Sequence, residues 1–269
     1  MKSSLNLNLP EALKPYHEAI FNTIKPYLKI DIKPNSTQWW QSKFGGLPYL
    51  PRKIDYPTNK KGEYLKLLAQ INFSEMPRLE NFPTQGILQF YIDGNDPAHG
   101  FDLYAPTNQD GWIILYFDTI VENINNLVTD FDFLEEYEET PIRGEFDLSF
   151  SYDYSPIDII DDVAIERYFP NFNDDNLRDI YDRWFSQYFW LNRNQHKLGG
   201  YPNFVQEDPR FNPEYEDYIL LLQIDSDYGR HGETNDICWG DAGICNFFIK
   251  PSQLQALDFS QVLYNLDCH

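Results

Sequence analysis

The sequence predicts an α+β protein: a single compact domain over residues 1–269 with an internal duplication, mixed or mostly antiparallel sheets and peripheral helices. Three observations lead to this prediction. Apolar runs of strand length recur in two parts of the chain, segments with apolar residues at helical spacing lie outside them, and 17 % of the residues are aromatic. Because disordered chains are poor in aromatic residues, we expect this chain to fold in spite of its acidity.

The first predicted element is a helix over residues 10–24. Its apolar positions fall at helical spacing and are Leu13, Tyr16, Ile20 and Ile24. Pro15 is expected to delay or kink this helix, because a proline inside a helix removes a hydrogen bond. The apolar spacing indicates that the helix packs on the core.

Three motifs recur in the same order in two parts of the chain. The first is K-F-G-G-L-P at residues 43–48, answered by K-L-G-G-Y-P at residues 197–202, an offset of 154. The second is L-A-Q-I at residues 68–71, answered by L-L-Q-I at residues 221–224, an offset of 153. The Gly-Gly-x-Pro part predicts a sharp turn, since glycine adopts positive φ freely and proline favours an extended residue before it.

The third motif is the glycine-led aromatic strand G-I-L-Q-F-Y-I at residues 86–92, answered by G-I-C-N-F-F-I at residues 243–249, an offset of 157. Three ordered motifs at nearly one offset predict an internal duplication. Its halves are residues 38–120 and 190–262, joined by an acidic linking segment at residues 130–182.

Gln70 and Gln223 are the polar members of two otherwise apolar strands. A buried amide without partners costs about 1–3 kcal/mol, so each side chain must be hydrogen-bonded. One interpretation is structural, with each glutamine tying its strand to a neighbouring turn such as the Gly-Gly-x-Pro loop. The other places the two amides across a pseudo-twofold axis, where they line one pocket.

The remaining predicted elements lie between and after the motifs. Alternating residues predict half-exposed strands, and an acidic first turn with an apolar stripe predicts a helix. They are strands over 112–118 and 145–153, a helix over 174–191 and a short helix near 252–257.

The negative charge is concentrated in the linking segment. The chain has 42 acids against 21 lysines and arginines, a net charge of −21, and residues 130–182 hold 17 acids and 3 arginines, a net charge of −14. This balance argues against nucleic-acid binding. The segment is either a solvated face or an acidic docking surface for a basic protein partner. The docking candidates are Asp161, Asp162, Asp174 and Asp175.

A polar stretch from Asp225 to Asp241 follows the second glutamine strand. Its start resembles a calcium-binding loop, but the sixth position is Arg230, where an EF-hand needs glycine. The stretch suggests instead a ligand-binding or hydrolytic cleft between the two halves. The binding candidates are Gln70, Gln223, Asp225, Asp227, His231 and Asp241. Asp241 is bracketed by glycines, which favours close approach of a ligand, although a turn aspartate that accepts local N–H groups has the same pattern.

The sequence contains none of the common motifs for catalysis, metal binding or cofactor binding. The five histidines lack zinc-site spacing, the three cysteines contain no C-x-x-C pair, and no phosphate-binding glycine motif is present. We therefore expect no metal and no cofactor, and an enzymatic activity stays an open alternative that the sequence does not favour. The odd cysteine count suits a reducing compartment. With no secretory signal pattern and no apolar run of about 18 residues, the expectation is a cytoplasmic protein that does not bind membranes.

Together, the repeated motifs and the W-G-D-A-G of residues 239–243 resemble the YwqG-like family of bacterial proteins, a domain of unknown function. The resemblance runs from Lys43 to the end of the sequence. It implies a cytosolic bacterial α+β protein without assigned catalytic residues, and relatives encoded near toxin systems imply an immunity-like role. The leading expectation is therefore a non-enzymatic binding protein with an acidic docking face, and the alternative is the cleft between the halves.

Overall fold

The protein folds around one large sheet. The computed structural model describes residues 7–134, 140–159, 161, 165, 168–169, 174–193, 195–227 and 236–269. Within these residues the sheet has ten strands, and their order is β10-β9-β8-β7-β1-β6-β2-β3-β4-β5. The strands are β1 (Lys25–Pro34), β2 (Lys43–Gly45), β3 (Lys66–Asn72), β4 (Ile87–Ile92), β5 (Trp112–Phe117), β6 (Glu145–Ser155), β7 (His196–Leu198), β8 (Ile219–Asp225), β9 (Ile244–Ile249) and β10 (Leu263–Asp267).

The predicted α+β class is wrong, because the fold is mainly β. The pairings between the named strands are antiparallel, the sheet curls into a half-barrel, and the described helices are few. The described helices are His17–Thr23, Asp175–Arg193 and Pro251–Ala256. The N-terminal α-helix is shorter than predicted. Residues 11–16, which include Pro15, form a 3₁₀ helix instead, and β1 begins soon after the α-helix ends at Thr23.

Two long strands, β1 and β6, form the centre of the sheet. They pair antiparallel from Lys25 opposite Ser155 to Pro34 opposite Phe146. β1 precedes β2 in the chain but lies beside β7, and β6 precedes β7 but lies beside β2. Each side of the sheet is therefore completed by a strand from the other part of the chain.

The matched motifs occupy equivalent positions on the two sides of this central pair. β3 and β8 are both third from an end of the sheet, and both pairings contain a register shift, at Leu67/Ala69 in one and at Leu220/Leu222 in the other. The duplication and its boundaries stay a prediction. Matched strand positions and matched irregularities support it.

One hydrophobic core fills the inside of the curled sheet. Rings from strands near opposite ends meet there: the ring centroids of Phe90 and Phe247 are 4.7 Å apart, and those of Trp112 and Tyr264 are 5.5 Å apart. All four side chains are fully buried. Aromatic contacts of this kind stabilise the closed curvature, because flattening the sheet would expose these rings to water.

A second core lies under the helix Asp175–Arg193. Tyr181, Trp184 and Phe185 of this helix are buried against Leu13 and Ile20 of the N-terminal segment. The predicted helix over 174–191 is confirmed.

Candidate functional site

Gln70 is held by four hydrogen bonds on β3. Its Oε1 accepts the N–H of Tyr49 at 2.8 Å and the Nε2 of Gln89 at 2.7 Å. Its Nε2 donates to the carbonyls of Trp39 and Gln41 at 2.8 and 2.7 Å. The side chain is fully buried, and three of its hydrogen bonds go to the backbone on the two sides of the first Gly-Gly-x-Pro motif.

Gln223 occupies the matching place on β8. Its Oε1 accepts the N–H of Asn203 at 2.8 Å, and its Nε2 donates to the carbonyl of Gln195 at 3.0 Å. Asn203 follows the proline of the second Gly-Gly-x-Pro motif, just as Tyr49 follows that of the first. These contacts favour the structural interpretation of both glutamines, and neither lines the two clefts described below.

Asp225 lies against a buried cation. Its residue is 8 % exposed, and its N–H donates to Nδ1 of His196 at 3.1 Å. Burial lowers the pKa of the neighbouring Lys197 to about 8, while the carboxylates of Asp158, Asp225 and Asp161 oppose that shift. A perturbed lysine can mark a functional site. The enclosed cavity beside it has a volume of only ≈ 10 Å³, room for about one water molecule and not for a substrate.

The acidic docking candidates fall in different surroundings. Asp161 is fully buried, and its Oδ1 accepts from Nη2 of Arg210 at 2.8 Å. The same guanidinium contacts Asp208 at 2.6 Å; burial opposes its charge, yet the two carboxylates raise its pKa above the usual range. Asp161 therefore balances an internal cation and does not present its charge to a partner.

Asp174 and Asp175 are exposed at the start of the helix Asp175–Arg193. Oδ1 of Asp174 accepts the N–H of Asn176 at 2.9 Å, which is the capping bond that a helix start requires. Asp162 lies outside the described residues.

Two described candidates of the polar stretch, Asp227 and Asp241, are held by backbone hydrogen bonds, and Asp227 is half-buried. The N–H of Asp227 donates to the carbonyl of Ile237 at 2.9 Å, and the carbonyl of Asp241 accepts from the N–H of His269 at 3.1 Å. Asp241 is exposed. His231 lies outside the described residues.

The larger of two open clefts, ≈ 620 Å³ in volume, lies beside β4 and β5 and is rich in carboxylates. Most of these carboxylates bind their own loops. Asp96 accepts the N–H groups of Ala98 and Gly100, and Asp102 accepts that of Tyr104. Such aspartate turns are a normal way to hold a loop, so this cleft is explained by local structure.

The second cleft, which we call the Trp239 cavity, has a volume of ≈ 350 Å³. Segments distant in sequence meet there: the loop after β4, the segment before β6, the turn around Trp239 and the end of β10. Its lining residues are Pro97, His99, Thr140, Pro141, Arg143, Cys238, Trp239, Gly240, Leu266 and Cys268. The volume lies within the range of about 300–1,000 Å³ that is typical of small-molecule sites.

Backbone contacts hold the walls of the Trp239 cavity together. The N–H of Cys238 donates to the carbonyl of Pro141 at 2.8 Å, and the N–H of Arg143 donates to that of Asp236, also at 2.8 Å. The N–H of Trp239 donates to Oγ of Ser226 at 3.0 Å. The segment before β6 is thereby fixed against the turn that carries the W-G-D motif.

The charge of the Trp239 cavity differs from that of the protein. Arg143 is exposed at the cavity, and its described lining contains no aspartate or glutamate, although the chain has twice as many acids as lysines and arginines. His99 is buried and packs edge-on against Trp239, with ring centroids 5.8 Å apart. An anionic group is therefore better accommodated here than a cationic one.

Sequence reasoning missed most of this lining. Trp239 and Gly240 were within reach, because the W-G-D-A-G motif was singled out for its aspartate. Arg143 is one of three arginines in the acidic segment, and only its position in space distinguishes it. His99 has φ +53°, a backbone conformation that residues other than glycine seldom adopt. The sequence around His99 does not predict this conformation.

Two general kinds of feature are not found in the described residues. Within the described part of the chain, no group of three histidine, cysteine, aspartate or glutamate side chains is placed to hold a metal ion. None of the described helices combines the length and apolar character needed to span a bilayer. The cytoplasmic location and the absence of a cofactor stay predictions.

Comparison with known proteins identifies the family but not an activity. No curated protein matches the chain. A family model described as a domain of unknown function (DUF1963) matches residues 42–268, which includes β2 to β10 and all segments that line the Trp239 cavity. The narrower YwqG-like assignment and a bacterial origin stay predictions. Since the match spans most of its length, the chain belongs to the DUF1963 family of domains of unknown function.

Proposed function

We propose that this protein binds a small molecule with an anionic group in the Trp239 cavity. The observation that carries the proposal is the combination of an exposed arginine and a lining without described carboxylates in a chain of net charge −21. Excess acidity elsewhere would repel an anion from most of the surface, so the cavity is the favourable place for one.

Arg143 supplies the polar anchor of this proposal. A guanidinium binds carboxylate or phosphate groups through two parallel hydrogen bonds, which orients the ligand as well as attracting it. Pro97, Pro141 and Leu266 provide apolar contacts for the rest of the molecule. The ligand class is therefore a small organic acid or phosphate ester with an apolar part.

The experiment is a thermal-shift screen of metabolites that contains acids, phosphate esters, amines and neutral sugars. We expect the stabilising compounds to be anionic, and we expect Arg143→Gln to weaken their binding at least about tenfold, as for loss of a charged hydrogen bond. Arg183→Gln is the matched control, because Arg183 is exposed on the helix Asp175–Arg193 and does not line the cavity.

Two results would overturn the proposal. One is a screen in which no anionic compound stabilises the protein. The other is a ligand whose effect survives in Arg143→Gln but is lost in Asp241→Asn, since that pattern assigns a cationic or neutral ligand to the neighbouring aspartate.

A second candidate is docking of a basic protein on the acidic segment, including an immunity-like role. The observation that favours it is that Asp174, Asp175 and Asp179 are all exposed at the first turns of one helix. Charges of one sign on a surface accelerate association with a partner of opposite sign. Asp161 is not part of this surface because it is buried.

The docking candidate is tested by pull-down at low and high salt, followed by titration with the purified basic partner. Combined Asp174→Asn and Asp175→Asn should weaken the titrated affinity. The control pair Asp55→Asn and Glu122→Gln removes the same charge from exposed sites outside the helix and should leave it unchanged. Equal affinities of the two double variants contradict docking on this helix.

A further inference from the structure

Two of the three cysteines meet at the Trp239 cavity. Cys238 and Cys268 both line it and are both half-buried, so their thiols are within reach of small solutes. Cys245, on β9, is fully buried, and burial raises the pKa of its thiol well above the ordinary value. The chain therefore has two accessible thiols at one place and one inert thiol for comparison.

Gly240 lies between the two accessible thiols. Sγ of Cys238 is 3.4 Å from the carbonyl oxygen of Gly240. A Cβ atom built on Gly240 would lie 3.1 Å from Sγ of Cys268 and 3.4 Å from its Cβ. Because one residue spans only a few ångströms, these distances place the two sulfur atoms within about 10 Å of each other.

Both cysteines lie outside the named strands. Cys268 follows Asp267, the last residue of β10, so it lies outside the sheet pairing. Cys238 precedes a turn in which Gly240 and Ala242 have φ +52° and +57°. A disulfide needs Cα atoms about 4.4–6.8 Å apart. The N–H of His269 donates to the carbonyl of Asp241 at 3.1 Å, so the two segments that a disulfide would join are already in contact.

We propose that Cys238 and Cys268 form a reversible redox pair at the mouth of the Trp239 cavity, oxidised by a small peroxide. The thiolate of one cysteine attacks the peroxide, an S–O bond forms, the O–O bond breaks and the leaving oxygen takes up a proton as water or alcohol. The second thiolate attacks that sulfur, the S–S bond forms, the S–O bond breaks and water leaves. Two thiols lose two electrons and the peroxide gains them.

The disulfide would link the Trp239 turn to the segment after β10. Reduction by a dithiol restores both thiols through a mixed disulfide. This chemistry needs only the two cysteines and access for the peroxide, so it does not depend on the ligand proposed above. Its outcome is measured on the covalent structure of the protein and not on binding.

The test treats the reduced full chain with a small excess of hydrogen peroxide and examines intact mass and disulfide-linked peptides. We expect a mass loss of two hydrogen atoms, a Cys238–Cys268 peptide, and full reversal by dithiothreitol. In a parallel reaction, dibromobimane, which becomes fluorescent when it bridges two thiols, should cross-link the reduced protein.

Single variants identify the thiols. Cys238→Ser and Cys268→Ser should each reduce the bimane fluorescence to background, whereas Cys245→Ala should retain it. A disulfide that includes Cys245, disulfide-linked dimers as the main product, or oxidation to sulfinic acid without a cross-link would each overturn the proposal. The wild-type peptide map gives this decision even when a variant folds poorly.

Discussion

Replacement of the two buried glutamines tests whether both stabilise the fold through their hydrogen bonds and whether Gln70 contributes more than Gln223. Gln70→Leu and Gln223→Leu each keep approximate side-chain volume and remove the amide. Among the described residues, Gln70 makes four hydrogen bonds and Gln223 makes two. The first replacement should therefore destabilise the protein more than the second.

The expected loss in the free energy of unfolding follows from the number of buried groups that lose a hydrogen-bond partner. Gln70→Leu leaves the N–H of Tyr49 and the carbonyls of Trp39 and Gln41 without their bonds, whereas Gln89 keeps its bond to the Tyr49 carbonyl at 2.7 Å. At about 1–3 kcal/mol for each buried group, and with the two half-buried carbonyls at the low end, the free energy of unfolding should fall by about 3–5 kcal/mol.

Gln223→Leu leaves two groups, the N–H of Asn203 and the carbonyl of Gln195. At about 1–2 kcal/mol for each of these two groups, the lower part of the range, the expected loss is about 2–4 kcal/mol. Gln255→Leu is the control, because Gln255 is exposed on the helix Pro251–Ala256, and a surface substitution of this kind changes stability by only about 0.5 kcal/mol.

The assay is urea unfolding followed by tryptophan fluorescence and far-UV circular dichroism. With a slope of about 3 kcal/mol per molar urea, a loss of 4 kcal/mol lowers the midpoint by more than about 1 M. Losses below about 1 kcal/mol for both variants would refute the reasoning, since leaving several buried polar groups without hydrogen bonds should lower the free energy of unfolding by more than that. A larger loss for Gln223→Leu than for Gln70→Leu would also contradict it.

Three other predictions concern the glycine turn and the buried charges. Gly45→Ala should lower the free energy of unfolding in urea by more than about 2 kcal/mol, because φ is +65° and the new Cβ would lie 2.2 Å from the carbonyl oxygen of Gly144. Gly62→Ala, where φ is +83° and no atom lies near the new Cβ, should lower it by about 1 kcal/mol. Equal losses for the two variants would refute the close-contact argument. Arg210→Met should lower the free energy of unfolding by about 3–5 kcal/mol, because it leaves the two buried carboxylates that contact Arg210 without their cation; a loss below about 1 kcal/mol in urea unfolding would contradict this. The pKa of Lys197 is lowered to about 8 in the folded state, so between pH 8 and about pH 10.4 the unfolded chain binds more protons than the folded one. The free energy of unfolding of the wild type should therefore rise across this range by about 3 kcal/mol relative to that of Lys197→Met. A difference between the two proteins that stays constant with pH would rule this out.

Local patterns predicted the elements whose environment is simple. The alternation from Glu145 onward identified β6, because one face of that strand is more buried than the other. The stripe that includes Tyr181 and Trp184 identified the helix Asp175–Arg193 for the same reason. Such periodic patterns are visible in a single sequence because burial repeats with the geometry of the element.

The predicted fold class was wrong because local patterns do not report how strands associate. β1 carries lysines and an aspartate between its apolar residues, and nothing nearby in sequence indicates that it lies between β6 and β7. Antiparallel partners 120 residues apart are chosen by the packing of the whole core, in which Phe90 and Phe247 meet. Each of the three predicted helices corresponds to a described helix, but they accompany a ten-stranded sheet, so the class is mainly β.

The site shows the same division. The sequence left open whether the two glutamines and several aspartates share a cleft or have structural roles, because it could not show which of these polar groups have partners inside the fold. Asp161 and Asp225 are placed beside buried cations, and Gln70 and Gln223 bind loops. Arg143 and Cys268 meet at the Trp239 cavity only because four distant segments converge there.

By itself the sequence determined that the chain folds, where the repeated motifs lie, and that its negative charge is concentrated in residues 130–182. These properties depend on composition and on neighbours within a few residues. The tertiary structure alone decided which strands lie side by side, which acids are neutralised internally, and where an arginine and two thiols line one cavity. Those outcomes depend on contacts between residues far apart in the chain, which form only when the shared core closes.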